Sequence, residues 1–274
     1  MNILRQTAMV SVMAVGMTFT ITAGEIDLSI GSTVALAALV AGVILRTQGI
    51  LVAVIAALAV GLVVGLINGI ITAKVRIPAF LVTLGISGVI SGLARTITNL
   101  TAVPIVNEQF NFIFGSGNFG PVSTLFIWTI AIAIIGHILL RKLPFGRMVT
   151  ATGGNRSAAR YSGVRTDNIR IAVLVISSVT AALAGLLYAG RLHGARYTLG
   201  ETDLMTVIAA VIIGGTSFSG GKGSVIGAII GSLVMGMLNN GLLLMGLSVS
   251  EQMIARGIII VLAVSLSLRE ELER

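Results

Sequence analysis

Long apolar runs separated by short polar segments dominate this chain and leave it few ways to fold. They measure about 16 to 24 residues, the length of a membrane-crossing helix, and read as spans over 7–23, 28–45, 50–73, 79–97, 123–140, 171–190, 203–217, 223–245 and 251–267. Several are short. At about 1.5 Å per residue, 16 residues cover about 24 Å of a hydrocarbon core roughly 30 Å thick. Short or broken helices are tolerated where neighbouring helices or a water-filled cavity shield them. The expected fold class is therefore an all-α polytopic membrane protein, a single transmembrane domain over 1–274 with about nine helices. Composition closes the soluble alternative. Apolar residues make up 55% of the chain, 34 more residues are glycine, and only 10% are charged, against roughly 25% charged in an ordinary soluble domain.

Orientation follows from the basic residues. Segment 141–170 carries Arg141, Lys142, Arg147, Arg156, Arg160, Arg165 and Arg170 against the single acid Asp167, which marks it as cytoplasmic. Alternating the spans outward from it puts Lys74, Arg76, Lys222, Arg269 and Arg274 on the same side. Arg5, Arg46, Arg95, Arg191 and Arg196 fall on the opposite side, with Arg256 inside the last helix. The net charge of +8 is thus a topology signal, and nucleic acid is not an expected partner. With nine spans the N-terminus falls outside. A further helix upstream of Met1 restores a cytoplasmic start; a re-entrant short span, or a cleaved leader over 1–23, are the other accounts.

Several chemistries are excluded. The chain has no cysteine and only two histidines, His137 and His193, so disulfides, thiolate nucleophiles and a histidine-built metal cluster are out of reach. Gly220-Gly221-Lys222-Gly223-Ser224 looks like a phosphate loop, but that pattern needs glycine at Thr216 and a hydroxyl residue at Gly223. A tight cytoplasmic turn is the better reading. Neither G-x-S-x-G nor H-E-x-x-H occurs. The chain is read as a non-enzyme that binds no cofactor of its own.

Glycines spaced four apart line single helix faces at Gly61, Gly65 and Gly69, at Gly88 and Gly92, and at Gly227 and Gly231. Such stripes let backbones approach closely in lipid. Packing within the bundle is the expected use, and a homodimer seam the other. Within 141–170, Asn155 is a strong N-cap and Gly163 a helix stop, so 155–163 reads as a two-turn helix set between glycine joints at Gly153-Gly154 and Gly163. A helix that short is marginal alone and needs a surface to dock on. Ala158, Ala159 and Tyr161 suit a groove. Glu25 and Asp27 sit between two apolar runs, where charge is costly and two carboxylates repel, which places them in a water-accessible break. They are candidates for a gate or path, or for a cytoplasmic turn in which Asp27 caps the helix starting near Leu28. Residues 98–122 are candidates for an outer gate or docking rim, or else an ordinary connector, and Arg191, Arg196, Glu201 and Asp203 are similar rim candidates. Aromatics are few, with Trp128 alone of its kind, and no sugar-stacking site assembles from the sequence.

Four stretches carry a family resemblance. Ala151-Thr-Gly-Gly-Asn-Arg-Ser-Ala-Ala-Arg-Tyr-Ser-Gly163 resembles the A-x-G-G-N-x-x-A-A-x-x-S-G segment of ribose-type ABC permeases. Gly24 to Ser32, Ala209 to Gly223, and Leu238-Asn239-Asn240-Gly241 resemble three further segments of that family, in order along the chain. Glu25 departs from the glycine usual there, as does 200–204 from a Tyr-Glu-Leu-Asp-like run. The resemblance implies a type II ABC importer-like permease fold of ten helices in the bacterial inner membrane, the first helix lying before Met1. It implies three protein partners: a second permease chain, a separate ATP-binding cassette subunit that alone binds ATP, and an extracytoplasmic solute-binding protein. Gly153, Gly154, Asn155, Arg156, Ala158, Ala159, Arg160 and Gly163 would form the coupling helix, and Glu25, Asp27, Ser29, Asn239 and Asn240 are candidates for the translocation path or gate. The solute would be a monosaccharide or similar small polar molecule. A nucleoside, autoinducer or amino acid permease, or an ion-coupled carrier using the two carboxylates, are the rival readings.

Overall fold

The structure, a computed structural model, describes residues 2–272; Arg274 and the side chains of Arg256 and Arg269 lie outside what it describes. The chain is a helical bundle. In order come α1 (Asn2–Thr22), α2 (Ile30–Ile44), α3 (Ile50–Ile70), α4 (Ala79–Thr98), a short α5 (Glu108–Asn111), α6 (Thr124–His137), α7 (Pro144–Gly154), α8 (Arg156–Tyr161), α9 (Thr166–Leu192), α10 (Asp203–Ile213), α11 (Val225–Leu244) and α12 (Val249–Leu272). Each of the nine expected spans overlaps a helix. Among the described residues six helices are long and apolar enough to cross a membrane, whereas α2 and α10 are shorter apolar helices of 15 and 11 residues.

Burial explains how short helices survive. Twelve of the fifteen residues of α2 are inside the bundle, so all but its last residues meet protein and not hydrocarbon. At its centre lies α9, a 27-residue helix against which α1, α2 and α3 pack. The outer faces of α3, α4, α6, α11 and α12 present large exposed apolar side chains, among them Leu51, Leu84, Ile134, Ile230 and Leu262. That is the inverse of a soluble surface and suits a lipid solvent.

The two ends of the bundle differ. At one end Arg5 donates to Asn118, Ile105 N donates to His193 O at 2.9 Å, and a two-residue strand β1 (Val103–Pro104) pairs antiparallel with another, Gly194–Ala195. Arg95 pairs with Glu201 at 3.7 Å there and lies over the Tyr197 ring. Trp128 donates to Ile113 O at 3.0 Å and stacks on Phe114, so residues 98–122 fold as a packed cap, not a loose connector. At the other end Gly221 N donates to Thr22 O at 2.9 Å beside segment 141–170. The fold thus separates the basic residues as their distribution in the sequence requires.

Candidate functional site

The basic end is where the sequence-predicted coupling helix lies. Pro144 starts α7 at its first position, where its missing N–H costs nothing. This helix was not expected. It runs through Gly153 and Gly154, which are therefore the last turn of α7 and not free joints. Gly153 is glycine for a steric reason: a Cβ there would fall on the Thr22 carbonyl oxygen at the end of α1 and crowd Gly221 N. Gly24, Gly220 and Gly221, all at positive φ, close around the same point. Three turns from distant parts of the chain thereby touch backbone to backbone.

The expected cap and stop of α8 are both present. Asn155, extended at φ −153°, accepts from Ala158 N at 3.0 Å, the expected N-cap bond, and Gly163 follows at φ +86°. Ala159 turns inward and is buried, while Arg156, Ala158 and Arg160 are exposed and Tyr161 is 93% exposed. Of the residues suited to a groove, Ala159 alone is used inside this chain.

Glu25 is held differently from the water-accessible setting expected. It is only 4% exposed, and its Oε1 accepts from Arg156 Nη2 and from Arg170 Nε, each at 2.5 Å. Arg170, in the second turn of α9, is itself 7% exposed. A cavity of about 460 Å³ opens beside the trio, lined also by Arg76, Phe80, Arg160 and Asp167. Arg160 pairs with Asp167 at 2.7 Å, a second and more exposed tie from α8 to α9.

Asp27 is fully buried and has a separate set of partners. Its Oδ1 accepts from Ser29 N at 2.9 Å and Ser29 Oγ at 2.6 Å, and its Oδ2 from Ser178 Oγ at 3.5 Å. The helix begins at Ile30, later than expected, and Asp27 closes a turn onto Ser29 without reaching the first helical N–H groups. Asn68 of α3 donates to Ser29 Oγ at 2.9 Å, and Thr83 of α4 accepts from Leu28 N at 3.0 Å and donates to Ile26 O at 3.3 Å. The unwound stretch between α1 and α2 is thus fastened to α3, α4, α8 and α9. Helix α2 has the buried N-terminus that such a break produces.

The remaining path candidates are elsewhere. Asn239 and Asn240 lie on α11 toward the opposite end, where Asn239 lines a cavity of about 220 Å³ with Thr7, Tyr188, Asp203 and Thr206. Tyr188 donates to Asp203 there at 2.6 Å. The structure brings Glu25, Asp27 and Ser29 together and keeps the two asparagines apart from them. Thr83 and Asn68 were missed as site residues because each is an ordinary residue of an apolar helix until the fold places it beside the break, and Arg170 because it reads as one more basic residue of segment 141–170. Among the described residues no group of three or more His, Cys, Asp and Glu stands ready for a metal ion.

Comparison with known proteins agrees with the span pattern. Residues 1–264 match the family model described as the permease component of the branched-chain amino acid transport system. The chain belongs to this permease family. The ribose import permease protein RbsC of Bacillus subtilis is 41% identical to the permease, over 97% of this chain and 83% of the relative. RbsC of Escherichia coli K12 is 39% identical over 96% and 83%. The L-arabinose transport system permease protein AraH of Escherichia coli K12 is 36% identical over 94% and 78%. Among solved structures, PsaBC from Streptococcus pneumoniae in complex with Fab overlaps 94% of the permease and 90% of its own chain at a TM-score of 0.49 and 14% identity, too loosely to bear on the assignment. The permease is an ABC-type transport component in a membrane, and its α8 falls inside the matched region.

Proposed function

We propose that this permease moves a monosaccharide into the cell as the membrane subunit of an ATP-driven importer. The observation that carries the solute class is its identity with permeases named for ribose and arabinose along nearly its whole length. In this reading an ATP-binding cassette subunit docks on the exposed face of α8, through Arg156, Ala158, Arg160 and Tyr161. An extracytoplasmic binding protein delivers the sugar to the cap formed by 98–122. A second permease chain, identical or related, completes the path, and its seat is the apolar face of α4, where Gly85, Gly88 and Gly92 meet no side chain or backbone within 4 Å.

The chemistry is mechanical. The permease itself needs no ATP site, because closure of the partner's nucleotide sites pulls two α8 helices together and re-opens the path between the chains. Co-purification with candidate ATPase and binding-protein partners, then an ATPase assay in nanodiscs, tests the reading. ATP hydrolysis that rises with sugar-loaded binding protein supports it. Gradient-driven flux by the isolated chain, with no partner retained, overturns it.

A further inference from the structure

We infer that Glu25 is the tie through which α8 moves the break between α1 and α2, a positioning residue for transport and not a residue of the solute path. The inference rests on α8 being the element that the ATPase moves.

The geometry favours a tie for three reasons. First, α8 is only six residues long and buries a single side chain, Ala159, so apolar packing holds it weakly against the bundle. Its other attachments are charged: Arg160 to Asp167, and Arg156 to Glu25. The Asp167 pair is largely exposed, where screening leaves little strength. In the Arg156 pair the Glu25 carboxylate is buried, and one of its oxygens takes two guanidinium donors, the second from the buried Arg170. Charge-assisted bonds of that kind are the strong ones.

Second, Glu25 is joined to its neighbours on both sides in the chain. Its own N–H donates to Thr20 O at 2.9 Å, which anchors it to the end of α1. One residue on, the Ile26 carbonyl accepts from Thr83 of α4, and Asp27 and Ser29 are bonded to α9 and α3. A displacement of Arg156 is therefore delivered to a stretch fastened to neighbouring helices at successive residues, including α4 with its open face.

Third, Arg170 supplies a fixed post. It stands in the second turn of α9, the central helix, and shares the oxygen that Arg156 uses. Moving α8 can carry Glu25 along with Arg156 while the bond to Arg170 lengthens, so the carboxylate keeps a partner in both positions. The adjoining cavity gives Arg156 room to move. A two-position contact of this kind is what a coupling element needs.

The test has two readouts. The chain has no cysteine, so Tyr161→Cys places a single spin label on the exposed face of α8. In the purified permease alone, Glu25→Gln is expected to raise the label's mobility, and Glu25→Asp to raise it less. In proteoliposomes holding the complete importer, Glu25→Gln lowers the sugar taken up per ATP hydrolysed about tenfold, within the range of ordinary coupling between sites. Should Glu25→Gln give no folded protein, Arg156→Gln is read in its place, since that side chain is partly exposed, and Arg156→Lys recovers part of the loss.

Unchanged label mobility, or an unchanged ratio of uptake to hydrolysis, overturns the tie. A purely structural role lowers yield, hydrolysis and uptake together and leaves the ratio alone, which also counts against it. Failure of the wild-type chain to engage any ATPase overturns the importer reading instead, and the label measurement tells the two failures apart.

Discussion

Helices α3 and α4 carry the same sequence signal and use it in opposite ways. Both are apolar helices of about twenty residues with glycines spaced four apart. On α3 the stripe Gly61, Gly65 and Gly69 is buried against α9, and a Cβ at Gly61 would sit 2.6 Å from Ser178 O. On α4, Gly85, Gly88 and Gly92 have nothing within 4 Å. The stripe states that a backbone can come close. Which backbone, and from which molecule, depends on how the rest of the chain fills the space.

The comparison breaks first at Gly65. Leucine there drives a side chain into the α9 backbone, where a Cβ alone already lies 2.5 Å from Val175 Cα. Overpacking costs about 1–3 kcal/mol or more, so folded permease in membranes is expected to fall about fivefold or more, measured by fluorescence-detected size exclusion. Gly153→Ala is the next largest. A single methyl on the Thr22 carbonyl oxygen costs about 1–3 kcal/mol, read as a lower Tm in detergent, unless α7 shifts away from α1. A wild-type Tm would mean that the three-turn contact at the basic end gives way easily.

Asn155→Ala removes one cap bond and weakens α8 by about 1 kcal/mol. Faster hydrogen exchange over 156–161, with α9 unaffected, is the expected result. The smallest effect is Gly88→Ala. Nothing in the chain opposes the methyl, and alanine is the better helix former by up to about 1 kcal/mol, so the Tm of the single chain stays level or rises. A loss of stability only in the assembled importer would sharpen the contrast with α3 and locate the partner's backbone on α4.

Much of this is legible in the residues, and the misses have causes. The spans and their order follow from apolar length, which needs no tertiary knowledge. The cap at Asn155 and the stop at Gly163 are local backbone chemistry, so α8 is placed to within two residues. The helix before it is not, because Gly153 and Gly154 read as breakers; they are helical because α1 leaves no room for a side chain at 153. Glu25 and Asp27 are expected to share one watery break. They are buried with different partners instead, two guanidinium groups for one and serine hydroxyls for the other, and most of those partners are far away in the sequence.

By itself the sequence determined that this protein lives in lipid, which end carries the basic residues, and where its short basic helix starts and stops. Those properties are sums over contiguous residues or bonds within one turn. Only the tertiary structure decided which glycine stripe is filled, that α2 is a buried half-length helix, and that Glu25 joins α8 to α9. Each of those is a meeting of surfaces from remote segments, and apolar helices of similar composition do not announce in advance which neighbour they will take.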